Sequence, residues 1–253
     1  MTKIGIVTGA AGGIGKAYVR RMMQEDLDEI WCMDRTLDLL KGFKEEFGEK
    51  AVTIGADLSS YEDLTGLKSM IEEKKPEILY LVNCAGTVQF QSTEDACFDE
   101  LHRTMMVNCE APVLLTAICI PFMPKGSHIL NMSSIGAFTP LPYINLYCAA
   151  KAFLRYYSRA LNAELQERGI VVTAVCPGWV NTDMLPHTIN GHEMKYEGMS
   201  NPEDVVAQAM KDAKAGRDMS VHTWLVKTRH VICKIIPQKW AIKAWRKKIR
   251  RYF

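Results

Sequence analysis

KIGIVTGAAGGIGKAY, residues 3–18, joins an apolar run to a glycine-rich turn and the start of an amphipathic stretch. Glycine accepts positive φ and lets the backbone approach a ligand closely, so Gly9, Gly13 and Gly15 predict a tight turn between a strand and a helix. The first N–H groups of that helix have no partner within it and are suited to bind a phosphate. Taken alone, the pattern also fits a plain strand–helix connection.

The next apolar run, EIWCMD (29–34), ends in Asp34. An acidic side chain about 20 residues after the glycines is placed to receive the adenosine ribose of a bound dinucleotide. The glycine turn and the carboxylate together indicate a dinucleotide-binding unit.

Short apolar runs alternate with amphipathic stretches along most of the chain. The predicted strands are KIGIVT (3–8), EIWCMD (29–34), AVTIGA (51–56), ILYLVN (78–83), HILNMS (128–133) and IVVTAVC (170–176). The helical patterns between them include IGKAYVRRMMQE (14–25), LDLLKGFKEEF (37–47) and YEDLTGLKSMIEEK (61–74). Runs that are apolar throughout are buried on both faces, and strand–helix alternation requires crossover connections. The pattern predicts an α/β fold: a single-domain, Rossmann-like, doubly wound parallel sheet flanked by helices.

The composition is that of an ordinary soluble globular protein, with 48% hydrophobic and 24% charged residues. The eight cysteines are scattered without a C-x-x-C pair, which favours a reducing, cytoplasmic environment. A strand-like segment begins at Lys3, so we expect no secretory signal or N-terminal anchor. The longest apolar stretch, APVLLTAICIPFMP (111–124), contains three prolines and is too short to span a bilayer.

Six motifs occur in a definite order: TGAAGGIG (8–15), NCAG (83–86), Asn108, NMSSIG (131–136), YCAAK (147–151) and PG (177–178). Over residues 3 to about 183 the chain therefore resembles the short-chain dehydrogenases/reductases (SDR). The resemblance implies an NAD(P)-dependent oxidoreductase that interconverts a secondary alcohol and a ketone by hydride transfer. The alternative, from another class, is a non-catalytic dinucleotide-binding regulatory or scaffold protein. An intact set of catalytic residues argues against that alternative.

Tyr147 and Lys151 are four residues apart, so on a helix they project from the same face. A free phenol titrates near pH ~10, and a nearby ammonium favours the phenolate form. Tyr147 is therefore expected to exchange a proton with the substrate oxygen as the general acid and base.

The resemblance implies two further catalytic residues. The family serine lies about a dozen residues before the tyrosine, which indicates Ser134, with Ser133 as the alternative. Its hydroxyl would hold the substrate oxygen where negative charge develops. Asn108 matches the family asparagine that helps to hold a water in a proton relay to the lysine; the alternative is a residue that kinks or caps a helix.

The cofactor contacts are also implied by the resemblance. Asp57 would lie near the adenine, and Asn83, Ala85 and Gly86 beneath the ribose, although these residues could equally serve only to end their strands. Thr182 would reach the carboxamide or a phosphate. The complete implied set is Thr8, Gly9, Gly13, Ile14, Gly15, Asp34, Arg35, Asp57, Leu58, Asn83, Ala85, Gly86, Tyr147, Lys151, Pro177, Gly178, Val180 and Thr182.

Two neighbouring residues bear on the choice of cofactor. Asp34 would accept hydrogen bonds from free ribose hydroxyls and repel a 2′-phosphate, which favours NAD. Arg35 could instead bind a 2′-phosphate, and Lys16 is a second cation near the turn, although both also suit solvent-facing positions. We expect NAD rather than NADP.

The residues expected to face the substrate are mostly apolar, which suits a lipophilic substrate such as a steroid or an acyl chain. They are Ser134, Phe138, Leu141, Tyr143, Tyr147, Trp179, Met184 and Leu185. His187, His192 and Glu193 fit no metal-binding spacing, so we expect no metal site.

After residue 183 the chain departs from the usual family pattern. NPEDVVAQAMKDAKAG (201–216) predicts a helix with Pro202 in its first turn, and DMSVHTW (218–224) predicts a short last strand. The glycine-rich final strand that helps family members form tetramers is missing from this sequence. We therefore expect a homodimer that uses the long helices containing Asn108 and Tyr147.

The C-terminal part is strongly basic. Residues 219–253 contain ten of the 31 lysines and arginines and no acidic residue, which leaves 21 basic and 29 acidic residues in positions 1–218. We divide the chain into a dinucleotide-binding and catalytic domain, 1–222, and a basic helical extension, 223–253.

The segment QKWAIKAWRKKIRRYF (238–253) predicts an amphipathic helix. Such a helix could pack on the protein as a lid over its own pocket or lie on an anionic membrane. We expect no nucleic acid partner, because no recognition module is present. The apolar face consists of Trp240, Ala241, Ala244, Trp245, Ile249 and Tyr252.

Overall fold

The computed structural model describes residues 1–253, apart from the side chains of Leu225, Arg229 and Lys234. Its strands are β1 (Lys3–Thr8), β2 (Glu29–Asp34), β3 (Ala51–Gly55), β4 (Glu77–Asn83), β5 (His128–Met132), β6 (Val171–Val175), β7 (Thr188–Ile189), β8 (His192–Glu193) and β9 (Met219–Ser220). Seven of them form one sheet in the order β3-β2-β1-β4-β5-β6-β9. All neighbouring pairs in this sheet are parallel.

Helices cover both faces of the sheet. They are α1 (Gly13–Met22), α2 (Phe43–Phe47), α3 (Tyr61–Lys74), α4 (Phe98–Met105), α5 (Ala111–Cys119), α6 (Asn145–Glu164), α7 (Pro202–Lys214), α8 (Trp224–Ile235) and α9 (Gln238–Ile249). One core packs α1, α2 and α7 against the sheet, and a second core packs α3, α5 and α6 against the opposite face. The predicted single-domain, doubly wound α/β fold is confirmed.

The central strand β1 shows why the strands of this sheet correspond to unbroken apolar runs in the sequence. Ile4 and Ile6 lie in one core and Val7 in the other, and all three side chains are almost completely buried. Successive side chains of a strand point to opposite faces, so a strand covered on both sides needs apolar residues throughout. The carboxyl ends of the parallel strands meet at one edge of the sheet, where ligands bind in this class of fold.

Local structure differs from the sequence prediction in two helices. The stretch 37–47 is not one helix but a 3₁₀ turn, Leu37–Leu40, followed by α2, because Gly42 between them has φ +82°. The first helix ends at Met22 rather than at residue 25.

The hairpin β7-β8 was not predicted. Its turn is Asn190-Gly191, with φ of +48° and +78°. Asn-Gly is the dipeptide most strongly associated with two-residue hairpin turns, so the signal was present in the sequence.

Residues Phe98–Phe122 form one long helical segment that contains α4, α5 and a π-helical turn at Met106–Glu110. By length and composition this segment could cross a membrane, although the apolar run 111–124 alone had suggested otherwise. Buried core helices of soluble proteins pass the same test. Ala111, Leu115 and Cys119 are buried against the sheet, so in this structure the segment is a core helix.

The last two helices pack differently. Helix α8 lies on the loop after β5 through Val226, which forms a small cluster with Phe138 and Val221. Helix α9 and the 3₁₀ turn after it place Ile249 and Tyr252 against Ile189 of the hairpin.

Candidate active site

The glycine turn after β1 is too closely packed to admit side chains. Gly9 has φ +64°, and a Cβ there would lie 2.8 Å from the Cα of Ala85. A Cβ on Gly13 would lie 2.7 Å from Cγ2 of Thr182, and one on Gly15 would collide with the carbonyl oxygen of Gly9. The turn after β1, the turn after β4 and the loop after β6 therefore meet at the start of α1.

Thr8 fastens two of these turns together. Its Oγ1 accepts hydrogen bonds from the N–H groups of Cys84 (3.0 Å) and Ala85 (3.1 Å). Thr8 was predicted to contact the cofactor, but in this structure its hydroxyl joins the ends of β1 and β4 and is almost completely buried.

The carboxylate of Asp34 faces the glycine turn. Its Oδ2 accepts a hydrogen bond from the N–H of Ala11 (3.0 Å), and its Oδ1 accepts one from the N–H of Arg35 (2.8 Å). The Arg35 side chain is exposed. Lys16, the other cation considered, forms an ion pair with Glu46 on α2, so that carboxylate already balances its charge.

Tyr147 and Lys151 lie in the first two turns of α6, as the four-residue spacing predicted. The Nζ of Lys151 is 5.6 Å from the centre of the Tyr147 ring and donates a hydrogen bond to the carbonyl of Met132 (2.7 Å). Lys151 is buried, with 4% of its surface exposed. The ammonium is thereby fixed between α6 and the end of β5.

The structure distinguishes the two candidate serines. The hydroxyl of Ser133 donates a hydrogen bond to the main-chain carbonyl of Lys151 (2.7 Å), so it holds α6 to the end of β5. Ser134 instead lies beside the tyrosine: a Cβ on Gly136 would be 3.5 Å from the Oγ of Ser134 and 3.7 Å from the ring of Tyr147. The geometry favours Ser134 over Ser133 as the partner of the phenol.

Burial controls the protonation of both groups on α6. It raises the pKa of Tyr147 to about 12, although the hydrogen bond with Ser134 acts in the opposite direction. Burial also lowers the pKa of Lys151 to about 8. The expected lowering of the phenol pKa by the lysine is not seen in this structure, because desolvation of the phenolate is the largest effect on this group.

Asn108 lies in the π-helical turn between α4 and α5 and is completely buried. Its Nδ2 donates to the carbonyl of Thr87 (2.8 Å), and its Oδ1 accepts from the N–H of the same residue (2.9 Å). A Cβ on Gly86 would lie 3.1 Å from that Oδ1 and 3.2 Å from the Nζ of Lys151. The amide therefore clamps the turn after β4 against the long helix, next to the lysine. π-helical turns are frequent at functional sites.

Two other predicted cofactor residues already have protein partners. Asn83 donates to the Oδ1 of Asn131 (2.7 Å) inside the sheet. Asp57 accepts hydrogen bonds from Ser59 and from Arg103 (2.7 Å). Burial by itself would raise the pKa of Asp57, but these bonds outweigh it and lower the pKa. Arg103 was missed because it is 46 residues from Asp57 and only the fold brings α4 to this edge.

The remaining predicted residues lie along the same cleft or beneath it. Ile14 lies in the first turn of α1, and Leu58 is buried in the core next to Asp57 in the sequence. The carbonyl of Pro177 accepts a hydrogen bond from the N–H of Ile135 (2.8 Å). A Cβ on Gly178 would lie 3.0 Å from Val226, and Val180 pairs with Ser200 in an isolated bridge.

Aromatic side chains from distant parts of the chain meet at the substrate end. Tyr143, which has the rare φ of +68°, stacks on Phe253 with ring centres 4.1 Å apart. Trp245 of α9 lies 6.5 Å from the ring of Trp179 and donates a hydrogen bond to the carbonyl of Pro142 (3.0 Å). Trp245 belongs to the apolar face for which packing on the protein as a lid was one of the predicted alternatives, whereas Phe253 was not predicted to contact Tyr143.

The other predicted substrate residues are less uniform. Leu141 and Leu185 are partly buried, and Met184 is 45% exposed. Phe138 lies under α8, where its ring is 4.2 Å from that of His230, and so belongs to a different cluster from Tyr143. Among the described side chains, no group of three or more His, Cys, Asp and Glu residues could hold a metal ion.

A family model described as short chain dehydrogenase matches residues 3–192. A glycine betaine reductase of Emericella nidulans is 30% identical over 239 residues, which are 90% of this chain but only 19% of that protein. A very-long-chain 3-oxoacyl-CoA reductase of Anas platyrhynchos is 32% identical over 194 residues, 71% of this chain and 60% of the relative. This chain thus spans about one fifth of the length of the first relative and about three fifths of the length of the second.

Solved structures share the fold over nearly the whole chain. A short-chain dehydrogenase from Sphingobium yanoikuyae in complex with NADPH has a TM-score of 0.76, 23% identity, and coverage of 94% of this chain and 97% of that one. A 3-ketoacyl-(acyl-carrier-protein) reductase from Brucella melitensis complexed with NADH has a TM-score of 0.74 and 24% identity, and the match covers 87% and 95% of the two chains.

Proposed function

The chain belongs to the short-chain dehydrogenase family of NAD(P)-dependent oxidoreductases, and we propose that it interconverts a lipophilic secondary alcohol and its ketone. One observation carries the proposal: Tyr147, Ser134 and Lys151 converge beside the glycine turn, with Asn108 clamped next to the lysine. A dinucleotide-binding scaffold without turnover would need neither the buried lysine nor the paired hydroxyls.

The residues of the cleft fit a dinucleotide. The glycine turn packs tightly against Ala85 and Thr182, and the N–H groups at the start of α1 suit a pyrophosphate. Asp34 would receive the adenosine ribose, and Lys151 would contact the nicotinamide ribose, as the family resemblance implies. When bound, NAD(P) supplies the hydride donor or acceptor.

The protein groups would move the proton. For ketone reduction, the phenol of Tyr147, which its raised pKa keeps protonated at neutral pH, gives its proton to the carbonyl oxygen. Ser134 donates a hydrogen bond to the same oxygen as negative charge develops there. The ammonium of Lys151 then stabilises the phenolate that remains. For alcohol oxidation, the same groups act in reverse.

We propose NAD as the preferred cofactor. The carboxylate of Asp34 faces the glycine turn, where it would accept hydrogen bonds from the ribose hydroxyls, and its charge would repel a 2′-phosphate. Arg35 opposes this preference, but its exposed side chain would have to be ordered to bind the phosphate, which costs conformational entropy.

The aromatic walls support a lipophilic substrate. Tyr143 stacks on Phe253 and Trp179 lies near Trp245, so aromatic surface lies at the segment that leads into α6, the helix of Tyr147. Apolar pockets with few polar groups bind apolar ligands through the area they remove from water.

The test is a series of secondary alcohols and ketones of increasing chain length, followed by nicotinamide absorbance. We expect kcat/KM to rise with chain length and Trp245→Ala to remove most of that rise. Trp240→Ala is the matched control, since that side chain is on the same helix but 60% exposed. Equal kcat/KM for short and long substrates would contradict the lipophilic preference, and no turnover with any of them would contradict the enzyme proposal.

We further propose a homodimer that uses α4 and α6. Phe98 and Met105 are exposed on α4, Phe153 and Tyr156 on α6, and a groove of about 520 Å³ lies between the two helices. Exposed apolar patches on otherwise polar surfaces are typical of subunit interfaces. Light scattering should give a dimer for the wild type and a monomer for Phe98→Ser combined with Met105→Ser. Tyr61→Ser, a change at an exposed ring on α3, should leave the mass unchanged.

A further inference from the structure

Helix α8 exposes a row of apolar side chains. Trp224, Val231 and Ile235 are 76%, 52% and 78% exposed, and Ile232 beside them is 43% exposed. At about 100° per residue, positions 224, 231 and 235 lie on one side of the helix. Trp240, at the start of α9, is also exposed, at 60%. We call these five residues the outer face.

The opposite side of α8 is already packed on the protein. Val226 is 4% exposed in its cluster with Phe138, and the sulfur of Cys233 lies 2.9 Å from the hydroxyl of Thr139. A surface helix normally carries apolar residues on its buried side and polar residues outside. Because α8 is apolar on both sides, its outer face needs a second explanation.

The surroundings of the outer face are basic. Residues 219–253 contain ten lysines and arginines and no acidic residue, whereas residues 1–218 have eight more acidic than basic residues. Lys227 on α8 and Lys239 and Lys243 on α9 are exposed. Any surface that covers the outer face must therefore accept tryptophan and isoleucine and also carry negative charge.

A bilayer that contains anionic lipids meets both conditions. Tryptophan prefers the level of the lipid headgroups, isoleucine can enter the acyl boundary, and lysine stems reach the headgroup phosphates. Lysines and arginines near such a surface are attracted to its negative charge. We propose that the outer face of α8 docks this protein on anionic membranes.

The proposed face differs from the one that the sequence of α9 indicated. Ile249 of α9 and Tyr252 after it are buried against the hairpin, and Trp245 donates a hydrogen bond to the carbonyl of Pro142. These side chains are therefore occupied by packing on the protein. The proposed membrane contact instead uses α8 and the exposed Trp240.

Vesicle flotation tests the proposal with the full chain. Wild type should float with vesicles of phosphatidylcholine plus phosphatidylserine, less with phosphatidylcholine alone, and less at higher salt. Replacing Trp224, Ile235 and Trp240 together by serine should weaken binding to the anionic vesicles at least about tenfold, since three large apolar groups lose their burial. The matched control is Leu39→Ser with Met199→Ser, two exposed apolar positions elsewhere, which should bind like wild type.

Cofactor affinity within about twofold of wild type would show that the triple variant is folded. A folded triple variant that still floats like wild type would overturn the proposed face. The membrane proposal would be overturned if the wild-type protein did not bind anionic vesicles, or if it bound neutral vesicles as strongly as anionic ones. If the wild type does not float but the triple variant changes its mass in light scattering, the outer face binds a second copy of the chain instead.

Discussion

The two ends of the cleft differ in what holds their side chains. At the catalytic end, Lys151 and Asn108 are buried and each is hydrogen-bonded to main-chain groups of another element. At the adenosine end, Asp34 is only partly buried and Arg35 is exposed. A group fixed by packing has one geometry and a pKa that burial controls, whereas an exposed group is adjustable and screened by solvent. Substitutions at the catalytic end should therefore reduce turnover strongly, and substitutions at the adenosine end should change cofactor binding more moderately.

The largest effect is expected from Tyr147→Phe. The change keeps the ring and removes the proton that the substrate oxygen would receive, so turnover should fall by at least ~10²-fold while cofactor affinity stays nearly unchanged. Steady-state kinetics and a cofactor titration measure the two quantities. Tyr156→Phe, at a tyrosine on the same helix that is 71% exposed, is the control and should turn over normally. Near-normal turnover of Tyr147→Phe would contradict the role of Tyr147 as the proton donor.

Asp34→Ser should lower the preference for NAD over NADP by roughly ten- to a hundredfold. The carboxylate faces the added negative charge of a 2′-phosphate, and this repulsion, together with lost ribose hydrogen bonds, corresponds to about 1–3 kcal/mol. Titration of both cofactors into wild type and variant measures the ratio. Asp38→Ser makes the same change of charge at a carboxylate that is 79% exposed and paired with Lys41, and should leave the ratio unchanged. Tighter binding of NADP by wild type would mean that Arg35 dominates.

In the pH profile of ketone reduction, kcat/KM should decrease at a single pKa, that of Lys151. Its pKa of about 8 means that the ammonium is present below that pH and is lost above it, whereas Tyr147, with a pKa of about 12, stays protonated throughout. kcat/KM should be flat below pH ~8 and fall about tenfold per unit above it. Lys151→Arg should move this decrease to higher pH, because a guanidinium stays charged. A wild-type profile that stays flat to pH ~10 would contradict the assignment.

Arg103→Met should have the smallest effect. The guanidinium pairs with Asp57 at 2.7 Å, but both side chains are about one third exposed, and such pairs contribute only about 0.2–1 kcal/mol. Cofactor affinity should change less than about fivefold, in either direction. The control is Arg159→Met, which breaks a similarly exposed pair with Asp218 away from the cleft. A change of a hundredfold would mean that the adenosine end is as rigidly fixed as the catalytic end.

The fold and the placement of Tyr147 beside Lys151 were predictable because both depend on local patterns, whereas Ser134 and Asn108 were indicated only by the family resemblance. The alternation of apolar runs with amphipathic stretches predicted the doubly wound sheet. The four-residue spacing predicted that Tyr147 and Lys151 lie on the same face of one helix, α6. The protonation of Tyr147 was not predictable, since burial is a property of the assembled structure. Neither were the pairing of Asp57 with Arg103 and the return of α9 to Tyr143, because each joins segments far apart in the sequence.

The π-helical turn at Met106–Glu110 has a consequence for insertions and deletions. Such a turn holds one residue more than an α-helical turn of the same reach, so deleting one residue within it would make Phe98–Phe122 a regular helix. Because the regular turn would span the same reach with one residue fewer, the helix on either side would keep its orientation, and Ala111 and Leu115 could keep their places in the core. The change would fall on the widened turn, which brings the amide of Asn108 to Thr87. Such a deletion should therefore disturb the site around Asn108 far more than the packing of the long helix.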